Sequence, residues 1–351
     1  MSHIFPNIRR VHLLFSRLCV GLFATSLLLC SGCSSASDKK NTVQTAEQTQ
    51  ISEDAPLRDS TPVVLTPAGF AEDGTESEAA PSMLYETDIV RLDASHASDG
   101  YILVTYKGTN EKVKFQIQAP DGITYTYLVS ETESAIVYPL TGGNGDYLFT
   151  LLESVDVEEN LYAIVFTQTA NVQLSDEFLP FLTPNVYVWF TPGSPSVAAG
   201  IELAKNCHTD LEVIGEIYKH VTGTISYDTE KAADVTYGYI PNPDQTLELK
   251  KGICFDYASL MATMLRSQYI PTKLEVGYAG EVYHAWISCY VEEIGWVDGI
   301  IQFDGEHWSL MDPTLAANND SKAVEAYIGD GSKYTVKYTY YKRGLIYASV
   351  I

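Results

Sequence analysis

The sequence is short of basic residues, of cysteine and of long apolar runs. Only 22 Lys and Arg stand against 45 Asp and Glu in 351 residues, a formal charge of -23. Phosphates would go unneutralised, which argues against nucleic acid as a partner. The same imbalance disfavours adhesion to anionic lipid through charge. Six cysteines are too few for a disulfide scaffold of this size. The apolar run Leu18–Leu29 has about twelve residues, short of the ~20 that a bilayer-spanning helix needs. No internal repeat is visible. What is present points to a folded protein: 46% hydrophobic and 19% charged residues exclude wholesale disorder. The length implies two or three domains. Tyr is abundant, 24 against 12 Phe, and suits half-buried β surfaces and wet clefts.

Arg9, Arg10 and Arg17 precede the Leu18–Leu29 run. A basic stretch followed by a short apolar one reads as a secretory signal. It ends Cys30-Ser31-Gly32-Cys33, which resembles the bacterial lipobox, with Cys30 where a Leu is usual. The resemblance implies removal of residues 1–32 and lipidation of Cys33, which tethers a chain to the outer face of a membrane without spanning it. The processed chain keeps 45 acidic and 19 basic residues, a net of -26. Its thiols beyond Cys33 are Cys207, Cys254 and Cys289. An odd number outside the cytoplasm leaves at least one free or paired between chains; a Cys207–Cys289 pair is one arrangement that satisfies the count.

Residues 33–82 are rich in Ser, Thr, Gln, Glu and Ala, interrupted by Val63-Val64-Leu65, and read as a disordered acidic and polar linker. From 83 to 180 the period is two. Tyr101–Tyr106, Val113–Ile117, Thr124–Leu128, Tyr147–Leu151 and Leu161–Phe166 are expected strands, separated by turn signals such as Asp99-Gly100 and Pro120-Asp121-Gly122. This spacing suggests an antiparallel β-sandwich of Ig-like appearance, either a spacer or a ligand-binding module. A strand over Tyr187–Phe190 follows. Ile201, Ala204, Leu211, Ile214, Ile217, Tyr218 and Val221 then recur at helical spacing, to an end near Gly223.

The chemistry lies in residues 181–351. Gly252 precedes a helix whose apolar face is Tyr257, Leu260, Met261, Met264 and Leu265. Cys254 therefore sits at a helix N-terminus, where the dipole and free N–H groups favour a thiolate and can face a developing oxyanion. A strand over Tyr283–Val291 puts His284, Trp286, Ser288 and Tyr290 on one face and Cys289 on the other, so Cys289 is not the thiol beside His284. Trp308–Met311 is a further strand running into Asp312-Pro313. A nucleophilic Cys needs a base, and the base an orienting group; Cys254, His284 and Asp312 supply all three. Trp286 and Trp308 either line the cleft or pack. Asp298, Asp304 and Glu306 near His307 lack a calcium-loop spacing and read as a solvated hairpin. Lys333–Tyr340 is expected to be a closing strand.

Gly252-Ile-Cys254-Phe-Asp256-Tyr257-Ala258, Leu265-Arg266, Ile270-Pro271, Gly277-Tyr278, His284-Ala285-Trp286 and Asp312-Pro313-Thr314 together resemble the transglutaminase-like superfamily. The resemblance covers residues 200 to 340. It implies an α+β fold, with a papain-like domain whose nucleophile helix packs on an antiparallel sheet. It implies Cys254 as thiolate nucleophile, His284 as base and then acid, and Asp312 as the group that orients the imidazole, with no cofactor or metal. A second oxyanion donor is expected upstream; Tyr237, Tyr239 and Gln245 are the candidates. Gln268-Tyr269 stands where the family commonly has Gly before Ile-Pro, which affects a turn and not the triad. The reaction class implied is acyl transfer to a Cys254 thioester. Hydrolysis of peptide or amide bonds is the leading outcome for a surface enzyme facing peptides, secreted proteins or cell-wall peptide stems. Crosslinking and deamidation are the alternatives, and a non-catalytic surface binding module is the rival class.

Overall fold

In the computed structural model, residues 56–68, 70, 82–129, 131–279, 282–292, 294–303, 308–310 and 334–339 are described. Residues 1–32, expected to be a signal segment, and Cys33, Asp304, Glu306, His307 and Asp312 lie outside them. Alternating apolar residues build two four-stranded antiparallel sheets in the first half. One has the order β1 (Leu84–Glu86), β2 (Val90–Asp93), β3 (Tyr101–Tyr106) and β6 (Ala135–Pro139). The other has the order β5 (Thr124–Val129), β4 (Val113–Gln118), β7 (Gly145–Asp156) and β8 (Leu161–Val172). Their inward residues share one core that includes Val90, Leu92, Ile102, Phe115, Tyr138, Tyr147 and Phe149. β3, β4, β5, β7 and β8 are the expected strands; β1, β2 and β6 are additional to them, although β2 (Val90-Arg-Leu-Asp) alternates buried and half-buried residues.

Among the described residues five α-helices follow: α1 (Pro195–Ala204), α2 (Asp210–Thr224), α3 (Thr229–Ala233), α4 (Pro243–Leu249) and α5 (Cys254–Ser267). The single helical run expected from Ile201 to Gly223 is broken. The Thr209 hydroxyl accepts the Glu212 N–H, and the Glu212 carboxylate accepts the His208 N–H, at 3.2 and 2.6 Å. That reciprocal cap starts a second helix. Tyr187–Phe190 is not a strand either: Asn185 and Val188 form one isolated bridge, and Val188 and Phe190 are buried as plugs in the core.

α5 is the central element of this half. Its residues from Asp256 to Ser267 are all buried. They pack between α1, α2, α4 and a five-stranded antiparallel sheet of order β14 (Trp308–Leu310), β13 (Gly295–Phe303), β12 (Val282–Val291), β11 (Thr272–Ala279) and β15 (Tyr334–Thr339). Leu274, Val276, Ala285, Ile287, Cys289 and Val291 form one core with α5. Alternation along β12 therefore sends Cys289 to the helix side. The fold is mixed α+β with antiparallel sheets. A two-residue ladder of β9 (Ser226–Tyr227) with β10 (Lys251–Gly252) is parallel.

The C-terminal end of α5 closes in a Schellman turn. The Tyr269 N–H reaches the Arg266 carbonyl at 2.9 Å, and the Ile270 N–H reaches the Leu265 carbonyl at 3.1 Å. Arg266 is wholly buried; its guanidinium donates to the carbonyls of Thr183 and Thr272, and burial pushes its ionisation down to about 9.

Two expectations change. Part of the span read as a disordered linker is a strap. Arg58 binds Asp210 at 2.5 Å and the Gln268 carbonyl at 2.5 Å. The Val63 N–H donates to the Ser267 carbonyl at 2.9 Å, and Val64 packs on the core. The small apolar patch and one basic residue suffice to dock these residues. Cys207 and Cys289 do not pair: both are free, buried thiols, set against the Leu203 carbonyl and the Thr272 hydroxyl. Among the described residues no helix is long and apolar enough to cross a membrane.

Candidate active site

Cys254 is the first residue of α5 and is half-buried. Asp256, two positions on and fully buried, accepts the Ile253 N–H at 2.8 Å. This carboxylate caps the helix start. Gly252 must be glycine for the cap to fit, since a Cβ there would lie 2.6 Å from the Asp256 Cβ.

Three groups address the Cys254 thiol: the Ala285 N–H from β12, the Phe255 N–H from its own helix, and the Tyr227 hydroxyl from β9. The Ala285 contact puts the sulfur against the strand that carries His284, which is itself buried. The helix N-terminus was expected to favour the thiolate. Burial wins instead and pushes the Cys254 thiol above its usual range, against those three hydrogen bonds. The resting group is a thiol, and forming the nucleophile requires a base.

Tyr227 is the residue that sequence reasoning missed. Its hydroxyl meets the Cys254 sulfur and also accepts the Cys254 N–H, and burial holds its ionisation up at about 12. It stays a proton donor at neutral pH. The three expected oxyanion candidates stand elsewhere. Tyr237 is three-quarters exposed at 75%. Tyr239 donates to Asp256 at 2.5 Å. Gln245 lies in the first turn of α4, its N–H bound to the Asn242 side chain. Tyr227 ends β9, where it pairs with Gly252 of β10.

Trp286 is buried, and its side chain bonds Glu275, so it packs under the sheet and does not line the cleft. Glu275 also accepts the Ser288 hydroxyl; burial pushes this carboxyl up to about 7. Lys273, buried beside it, lies 3.7 Å over the Trp296 ring. Among the described residues no group of three or more His, Cys, Asp or Glu side chains is placed to hold a metal ion.

The site is a cysteine at a helix N-terminus, its sulfur set against a strand that carries a histidine and against a phenol. Residues 197–299 match the family model described as the Transglutaminase-like superfamily. These residues are thus similar to a transglutaminase-like core domain. An uncharacterised protein of Mycobacterium leprae is 28% identical over 248 residues, covering 70% of this chain and 76% of its own. Among solved structures, a candidate cysteine protease from Cytophaga hutchinsonii aligns with TM-score 0.32 and 14% identity over 73% of this chain and 83% of its own. The periplasmic domain of TgpA from Pseudomonas aeruginosa aligns with TM-score 0.29 and 14% identity, over 64% and 92%.

Proposed function

We propose that this chain is a cysteine acyl-transfer enzyme that hydrolyses peptide or amide bonds through a thioester on Cys254. The observation that carries the reading is the convergence of the Ala285 N–H and the Tyr227 hydroxyl on one half-buried sulfur. His284 takes the thiol proton as the sulfur attacks the carbonyl carbon, and later gives it to the departing amine. The carbonyl oxygen becomes an oxyanion; the Tyr227 hydroxyl and the Cys254 N–H, which bond each other in the free enzyme, turn to it. Asp312 orients the imidazole. Water then attacks the thioester, releasing the acid and restoring the thiol.

The location follows from the sequence: Arg9, Arg10, Arg17, the Leu18–Leu29 run and Cys33 support a lipid-anchored protein on the outer face of a bacterial membrane. An Ig-like role for the two N-terminal sheets, as spacer or ligand module, rests on their strand pattern. The substrates are peptides or proteins, cell-wall peptides included. Mass spectrometry of peptide products, wild type against Cys254→Ala, tests the reaction in the presence of a labelled amine. Cleavage products with wild type alone are expected. Label joined to a Gln side chain makes the enzyme a crosslinker, and ammonia release without cleavage makes it a deamidase; either outcome sinks hydrolysis.

A further inference from the structure

Beside Cys254 an ionic knot gathers around one buried carboxylate. Asp256 is fully buried, and both of its oxygens are used. Oδ2 accepts the Ile253 N–H at 2.8 Å and faces the Lys231 ammonium at 2.7 Å. Oδ1 accepts the Tyr239 hydroxyl at 2.5 Å, and the Lys231 ammonium also reaches that hydroxyl at 2.5 Å. Lys231 belongs to α3, whose cap Asp228 directly follows Tyr227 and accepts the Lys231 N–H at 3.0 Å. Lys251 binds Asp228 from the other side at 3.1 Å. Tyr227, which addresses the sulfur, is thus tied through Asp228 and Lys231 to the carboxylate that caps the sulfur's own helix. A removable surface pair would not account for this, since the carboxylate has no exposure.

The knot is braced from outside. Gly238, at φ +83°, brings its backbone so close to β5 that a Cβ would lie 2.4 Å from Leu128 Cδ1. Tyr239, next in the chain, meets Phe255 at 6.5 Å between ring centroids; Phe255 meets Tyr187 at 5.2 Å, and Tyr187 stacks on Tyr127 of β5 at 5.7 Å. The N-terminal sheets therefore back the turn that carries Tyr239.

We propose that Lys231 and Tyr239 are positioning residues for Cys254, acting through Asp256 to hold the Tyr227 hydroxyl and the sulfur in register, with Leu128 of β5 as the outer brace. The Asp256 charge opposes the thiolate two residues away, and the Lys231 ammonium at 2.7 Å offsets part of it. The inference rests on Cys254 being the nucleophile, and its test needs no substrate.

The full chain is treated with iodoacetamide at neutral pH, and alkylation of Cys254 is followed by peptide mass spectrometry beside the thermal midpoint. Lys231→Met is expected to slow Cys254 alkylation about tenfold, the effect of one unit in thiol ionisation. Lys231→Arg, which keeps the charge, is expected to stay within about twofold of wild type. Wild-type alkylation of folded Lys231→Met, whatever its midpoint, would overturn the proposal and leave Lys231 a structural residue. Should Lys231→Met fail to fold, Tyr239→Phe decides, because it keeps the ring and removes only the hydroxyl that bonds Asp256 and Lys231. A several-fold loss of alkylation supports the knot, and an unchanged rate overturns it. Absence of hydrolysis with intact Lys231 dependence would sink the hydrolase reading alone.

Discussion

Tyr227 lies opposite Gly252 in a two-residue parallel ladder, and this pairing delivers its hydroxyl to the Cys254 sulfur. A donor at that place acts when charge develops on the substrate oxygen, not when substrate binds. Tyr227→Phe is therefore expected to lower kcat about 10²-fold, the scale of a lost oxyanion donor, with little change in KM. Steady-state kinetics on a cleaved peptide checks this. An unchanged kcat would remove Tyr227 from the reaction.

Burial keeps Cys254 a thiol, so in free enzyme its alkylation is expected to climb with pH through and beyond the ordinary thiol range. His284→Ala is expected to lower the neutral-pH rate, since the proton then has no nearby acceptor. A rate profile that levels off below pH 7 would mean instead that an imidazolium already holds the thiolate.

The Glu275 carboxyl, pushed up to about 7 by burial, faces Lys273, Asp298, Ser288 and Trp286. Its folded form keeps a proton that an unfolded glutamate loses near pH ~4.3. Stability from this group is thus full below that pH and is lost as pH rises toward 7. Against Glu275→Gln, wild type is expected to lose relative thermal stability between pH 5 and pH 8. A gain over the same interval would show the carboxylate to be the stabilised form.

Tyr269 closes the Schellman turn of α5 at φ +58° and is 46% exposed. An L side chain there strains the backbone for little burial in return. Tyr269→Gly is expected to stabilise the fold by up to about 1 kcal/mol, net of the extra unfolded-state entropy of Gly. Chemical denaturation measures it. A destabilised variant would mean that the ring packs better than its exposure suggests.

Much of the site is legible where it follows a local period. The apolar face of α5 and the alternation His284, Trp286, Ser288 are written at fixed spacing, as is Cys289 on the reverse face. The expectation of a lowered thiol ionisation at Cys254 fails for a physical reason: the dipole is local to the helix, whereas the burial that outweighs it comes from β12 and β9. Tyr227 was passed over because its contact spans 27 positions and depends on a ladder of two residues, too short to carry any pattern. The strap shows the same limit. Arg58 and Val63 sit in a stretch whose composition reads as solvent-exposed, and their partners, Asp210 and the Gln268 and Ser267 carbonyls, lie far along the chain.

That strap decides where a tensile load enters the fold. Between Cys33 and Pro56 lie 22 residues, at most ~80 Å of chain when fully drawn out. A protein pulled by a lipid at Cys33 would first take the force at Arg58 and Val63, on the Gln268 and Ser267 carbonyls. Those lie at the far end of a 14-residue helix, ~20 Å from its first residue. The Cys254 end would be the last part of α5 to feel the pull.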